Sequence, residues 1–284
     1  MAAKLEAPSK ALEIPVPAVS IYNETLKIAL YGKFGSEKTR QIAHLIDMAG
    51  IDNVLVLSAE RGLGTIRSKI TSERQVIPIT NMAELRAAFI PVREFATENP
   101  DRWVVADGMS SITEWLANDQ LSGAERYYDS KAQGRAISQS DAVFGRYITD
   151  KGAIDSMRIY GRIGRDSENL LNAFLSLPCN LYANYLEDFT GSSGFEKGPP
   201  LGPDVPGKVG LKAVMSSFDF VGRLSYGPRG ELTAGFDSRS NYYMALTRED
   251  GTQVKIPKEI VNFNLAEFVR LIKGEIKELE TENP

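Results

Sequence analysis

The chain has one cysteine, Cys179, and one histidine, His44, in 284 residues. A single thiol excludes an intramolecular disulfide and any cysteine-built zinc site, and it suits a reducing compartment. His44 has no second histidine or cysteine to share a metal with, so it reads as a helix-surface or packed residue. With His44 the sole histidine, a Cys–His hydrolase is not expected. No apolar run approaches 18 residues, so no membrane span is expected and the location reads as cytoplasmic. Basic charge is not in excess either. Lys and Arg total 33 against 37 Asp and Glu, a net charge of −4, so no global field announces nucleic acid. A local basic loop is compatible with that balance. Residues 1–20 carry several prolines and no signal-peptide core, and read as a loosely docked arm.

What is present is an ordinary globular composition, 43% hydrophobic and 25% charged, in a chain long enough to bury a sizeable core. Apolar runs alternate with amphipathic helical patterns. Ile28–Tyr31, Asn53–Leu57, Gln75–Ile79, Trp103–Asp107 and Asn180–Tyr185 read as strands. Helices are expected over 40–49, over 82–96 with Asn81 as cap and Pro91 as a kink or break, after Gly108 through Leu116, and over 167–177. Residues 119–166 are polar and weakly periodic. The glycine- and proline-dense stretch 190–210 reads as a long mobile loop. Strands are expected at 218–226, 232–236, 242–247 and 253–256, with a hairpin turn at 248–251, and a helix closes the chain at 265–279. The early βαβ alternation implies an α/β fold with a mainly parallel central sheet flanked by helices. Its ligand site belongs at the carboxyl ends of the strands.

The stretch from Leu26 to Ala43 carries the strongest chemical signal. A phosphate-binding P-loop reads G-x-x-x-x-G-K-[ST] between a strand and a helix. Gly32 takes the first position, Lys38 and Thr39 the last two, and Glu37 stands where the second glycine belongs. Gly35, Ser36, Glu37 and Arg40 complete the cradle. Backbone N–H groups at a helix N-terminus form a nest for phosphate oxygens. Lys38 would neutralise the β- and γ-phosphates of ATP, and Thr39 would offer its hydroxyl to Mg²⁺. Glutamate adds bulk and negative charge beside a polyphosphate, so weakened affinity is expected unless its carboxylate turns outward.

Four further residues lie at or near strand ends. Asp107, after an apolar strand, stands where a Walker B aspartate would hold Mg²⁺ beside Thr39. Glu60 could polarise an attacking water as a general base, and Asn184 or Tyr185 could sense the γ-phosphate. The bland alternatives are solvated or ion-paired carboxylates and packed polar residues.

The order YGKFGSEKT, VLVLSAERG, WVVADGMSS, LYANYLED resembles the ATPase core of RecA-type recombinases. It looks closest to the phage-encoded AAA-domain nucleotide-binding proteins, which include single-strand-annealing ATPases. The resemblance spans roughly residues 27–248. The spacings of 22 residues from Lys38 to Glu60 and 69 to Asp107 are close to those of that core. It implies a RecA-like P-loop NTPase over residues 21–284 with a C-terminal antiparallel β extension at 214–256. It also implies Lys38 and Thr39 as Walker A, Asp107 as Walker B, Glu60 as the catalytic glutamate and Asn184 as the sensor-strand residue. Tyr185 departs from the glutamine of the recombinases. Partners implied are ATP, Mg²⁺, single-stranded DNA and further copies in a ring or filament, in the host cytoplasm if phage-encoded. The loop 190–212 stands where recombinases bind single-stranded DNA, and it offers Phe195, Lys197, Lys208 and Lys212 for stacking and backbone contact. Glu196 and Asp204 cut its net charge to about +1. Arg248 stands where an arginine finger could reach a neighbour's nucleotide.

Three functions follow as expectations. The first is an ATPase acting in phage DNA recombination or annealing, with a site altered by Glu37. The second is a pseudo-ATPase scaffold. The third is a nucleotide kinase whose lid would be the arginine-rich stretch 158–165.

Overall fold

The computed structural model describes residues 25–71, 75–149, 151–188, 202–236, 246–247, 253–254, 256–277 and 279. Eight strands form one mixed, mostly parallel sheet in the order β10-β7-β6-β1-β5-β4-β2-β3. The parallel strands are β1 (Lys27–Gly32), β2 (Val54–Ser58), β3 (Val76–Pro78), β4 (Trp103–Asp107), β5 (Asn180–Leu186) and β6 (Phe220–Tyr226). Antiparallel β7 (Leu232–Phe236) and β10 (Glu259–Val261) extend the β6 side. The antiparallel extension therefore begins only at β7, because β6 pairs in parallel with β1. Strands β8 (Leu246–Thr247) and β9 (Gln253–Val254) make a separate antiparallel pair. The expected hairpin turn at 248–251 and Arg248 lie outside the described residues.

Six consecutive buried residues in β1, and five each in β2 and β4, are what strands covered on both faces require. Period-2 alternation sends each residue to one of two cores. Helices α1 (Arg40–Ala49) and α7 (Leu265–Lys273) cover one face, where Ile42, Leu45, Phe268 and Val269 meet Ile28, Val56, Trp103, Val105 and Tyr182. The opposite face lies under α2 (Met82–Glu98), α3 (Met109–Ala132), α5 (Ser156–Leu175) and α6 (Gly207–Ser217). There Val104, Ala106, Leu181, Ala183 and Tyr185 pack against Leu85, Ile112, Phe174 and Val214. A short α4 (Gln139–Ala142) follows α3.

Several boundaries differ from the sequence expectation. Asn81 caps α2, accepting from the backbone N–H of Ala83 and Glu84, but Pro91 does not interrupt that helix. Pro91 and Ala87, whose carbonyl loses its helical donor, are both exposed, so water can replace the missing bond. Helix α3 runs on to Ala132 and α5 begins at Ser156 rather than near 167, so much of the weakly periodic stretch is helical. The expected loop 190–212 holds the first half of α6, which places Lys208 and Lys212 on a helix. Helix α7 stops at Lys273, before Gly274. The expected arm, residues 1–20, and the pair Phe195 and Lys197 lie outside the described residues. No described helix is long and apolar enough to cross a membrane.

Candidate functional site

Strand β1 ends at Gly32, in register with Leu224 of β6 and Leu186 of β5. A Cβ at Gly32 would sit 2.5 Å from the Leu224 carbonyl oxygen and 2.5 Å from Ser36 Oγ. Glycine is thus the residue that lets the chain fold back over the strand end. The loop that follows is pinned by Ser36, whose N–H and Oγ both donate to the Lys33 carbonyl, at 3.2 and 2.8 Å. Lys38 is buried, and its Nζ donates to the Gly32 and Lys33 carbonyls at 2.9 and 2.8 Å and to Ser36 Oγ at 3.2 Å. Its ammonium thus lies inside the loop that a phosphate would enter. Tyr182 Oη donates to the Lys38 carbonyl at 2.9 Å, fixing the start of α1 to the central strand.

No side chain caps α1. Thr39 turns its hydroxyl to Asp107 instead, donating to Oδ1 at 3.1 Å. Asn184 Nδ2 donates to the same oxygen, and Asn184 Oδ1 accepts from the Gly108 N–H at 2.6 Å. That places the amide in one orientation. Asp107 is fully buried, and its Oδ2 has no hydrogen-bond partner. Strand alternation explains the meeting. Trp103, Val105 and Asp107 face α1, as do Tyr182 and Asn184, whereas Tyr185 faces the opposite core beside Phe218. Tyr185 is therefore not a phosphate sensor in this fold, and of the two candidates only Asn184 reaches the site.

Glu60 follows β2 by two residues, and its carbonyl accepts from Ser58 Oγ at 2.8 Å. Its side chain lies across Gly108, where a Cβ would come 2.6 Å from Glu60 Cγ and where φ is +92°. Both the close approach and the left-handed backbone call for glycine there. Burial pushes the Glu60 carboxyl up, Asp107 adds to the rise, and Lys38 opposes it. Burial also raises Asp107, against the hydrogen bonds from Asn184 and Thr39 and the charge of Lys38. Lys38 is lowered by burial, while Glu60, Asp107 and Glu187 raise it. Lys38 and Glu60 line one cleft, Thr39 bonds Asp107 beside it and Glu60 lies over Gly108, so Lys38, Glu60 and Asp107 share one rim of the sheet.

Gly35, Ser36, Glu37, Lys38, Thr39, Arg40 and Glu60 line an open cleft of about 640 Å³, a volume suited to a nucleotide. Asp107 and Asn184 join it through Thr39, and Gly32 forms the strand end behind it. Glu37 adopts a left-handed φ of 57°, and its carboxylate pairs with Arg40 at 3.1 Å. Lys212 does not line the cleft, nor do the arginines at 158, 162 and 165. Arg158 pairs with Asp155, which caps its helix, Arg162 pairs with Asp166 and stacks over Phe144, and the whole stretch belongs to α5. His44 is half-buried on α1, and burial, ahead of the Arg40 charge, lowers its pKa. Cys179 is buried.

Four residues near the P-loop escape sequence reading: Tyr182, Glu187, Arg223 and Tyr226. Glu187 is buried, and its Oε1 accepts from Arg223 Nε at 3.0 Å and Nη2 at 2.7 Å, leaving Oε2 without a partner. Its N–H donates to the Gly32 carbonyl at 3.1 Å. Tyr182 had a signal in strand parity, two residues before Asn184. Arg223 and Tyr226 had none, because the parallel pairing of β6 with β1 is a long-range fact. A scan against protein-family models and a search of curated proteins found no match to this chain.

Proposed function

We propose that the protein is a RecA-like P-loop ATPase, with Lys38 and Thr39 as Walker A, Asp107 as Walker B and Glu60 as general base. One observation carries the reading: Thr39, Asp107 and Asn184 are hydrogen-bonded together under the P-loop, with one Asp107 oxygen buried and unpartnered. A buried carboxylate oxygen without a donor is costly unless something else is meant to meet it. Mg²⁺ suits that position, because it is held by one or two carboxylates or hydroxyls together with nucleotide phosphates and water. Among the described residues no cluster of three or more His, Cys, Asp or Glu forms an all-protein metal site. Asp107 and Thr39 would hold the ion, which when bound would neutralise charge on the β- and γ-phosphates.

The chain's own groups do the rest. Lys38 exchanges its two loop carbonyls for phosphate oxygens. Glu60, across Gly108 from Asp107, takes a proton from water when ionised. Asn184 keeps Asp107 oriented. Action on single-stranded DNA in phage recombination or annealing rests on the family resemblance alone. The test is ATP turnover with Mg²⁺, with and without single-stranded DNA, for the parent and for Lys38→Ala. Turnover lost in the variant is expected. Absence of both binding and turnover at millimolar ATP would remove the reading.

Glu37 favours a second reading, a scaffold that keeps the fold without hydrolysis. Its support is the left-handed backbone at this glutamate, a conformation that glycine adopts without penalty. Tight ATP binding by Glu37→Gly alone, with none by the parent, would establish the scaffold.

A further inference from the structure

We infer that Arg40 and Tyr226 are positioning residues, Arg40 holding the Glu37 carboxylate at the rim of the P-loop and Tyr226 holding the loop at Gly35, which together leave the nest open to a polyphosphate. The inference rests on the proposed nucleotide site and explains how that site could work with glutamate in a glycine position.

Three observations converge. The left-handed backbone at Glu37 fixes where its side chain leaves the loop. Its Oε1 accepts from Arg40 Nη1 at 3.1 Å, and with the Arg40 side chain 60% and the Glu37 side chain 29% exposed, the pair sits at the rim of the cleft. Tyr226, at the end of β6 and half exposed, reaches across to the same loop, its hydroxyl donating to the Gly35 carbonyl at 3.2 Å. That hydroxyl also neighbours Glu37, whose charge raises its pKa after burial has done so. The charge balance inside the nest agrees. The carboxylates that bear on the Lys38 ammonium are those of Glu60, Asp107 and Glu187. The Glu37 charge is met by Arg40 at the rim instead. Without Arg40, a flexible glutamate three atoms longer than its Cβ could swing toward Lys38, the nearest buried cation, and compete with phosphate for it.

A double-mutant cycle tests this, read as the affinity of a non-hydrolysable ATP analogue with Mg²⁺ by calorimetry. Arg40→Ala is expected to weaken binding about fivefold in the parent but less than about twofold in Glu37→Gly, since the coupling vanishes with the carboxylate. Arg40→Lys, which keeps the charge, should restore most of the loss. Tyr226→Phe, which frees the Gly35 carbonyl that both backgrounds share, should weaken binding about threefold in the parent and in Glu37→Gly alike. Equal effects of Arg40→Ala in both backgrounds would overturn the inference and leave the nucleotide site standing. So would a parent that binds nothing while Glu37→Gly binds well. No binding by any variant, Glu37→Gly included, would overturn the nucleotide site and the inference together.

Discussion

Replacing Gly32 by alanine tests the P-loop geometry most directly. The added Cβ would lie 2.5 Å from the Leu224 carbonyl and 2.5 Å from Ser36 Oγ, each about 0.9 Å short of ordinary contact at 3.4 Å. Leu224 pairs with Gly32 in the β1–β6 ladder, so its carbonyl can retreat only if the strands part. Ser36 Oγ is tied to the Lys33 carbonyl and accepts from Lys38, so its retreat loosens the buried lysine. Overpacking of this kind costs about 1–3 kcal/mol. In a chain of this size that lowers Tm by roughly 2–5 °C. Displacing Ser36 and Lys38 should weaken Mg²⁺–ATP binding by at least about tenfold. Gly64→Ala is the control, because a Cβ there meets nothing within 4 Å, and it should stay within about 0.5 kcal/mol of the parent. Urea denaturation of the two variants and calorimetry with the ATP analogue give both numbers. Should Gly32→Ala prove as stable as Gly64→Ala, the tight strand-end turn is misdrawn.

Three other outcomes are expected. Asn184→Ala strips the Gly108 N–H of its acceptor and Asp107 of a donor, so urea denaturation should show a loss of about 1–3 kcal/mol. Glu60→Gln should keep nucleotide affinity while turnover falls at least about a hundredfold. Because burial raises the Glu60 pKa, parent turnover measured against pH should fall on acidification above the ordinary carboxylate range. Asp107 and Glu60 also shape stability without nucleotide. Both bind protons more readily folded than unfolded. Stability should therefore fall as pH rises from roughly 4, the unfolded carboxylate range, through their raised folded values. Asp107→Asn should flatten that slope in denaturation curves taken across pH, and an unchanged slope would contradict the assignment.

The α/β character, the mainly parallel sheet and the meeting of Thr39 with Asp107 were legible in short apolar runs ending in polar residues. Alternation within β5 even separates Asn184 from Tyr185, since Tyr182 and Asn184 share a parity that Tyr185 lacks. Helix α3 was legible only as far as Leu116, because past it the buried face is Ala117, Gln120, Gly123 and Ala124, which leave no strong apolar stripe. Helix α6 was hidden by the glycines and prolines just before it. The contacts of Arg223 and Tyr226 depend on which strand pairs with β1. That pairing spans about 190 residues of chain and leaves no local mark.

Strand β5 and the residue just past its end touch the site in three places. Tyr182 holds the carbonyl of Lys38, Asn184 holds Asp107 and the backbone of Gly108, and Glu187 holds Arg223 while its own N–H meets Gly32. A slide of that strand by a few tenths of an ångström would retune all three together. Whatever fills the loop above it would then be felt as tension on a single rod, and the chain beyond Glu187 leaves from the end of that rod.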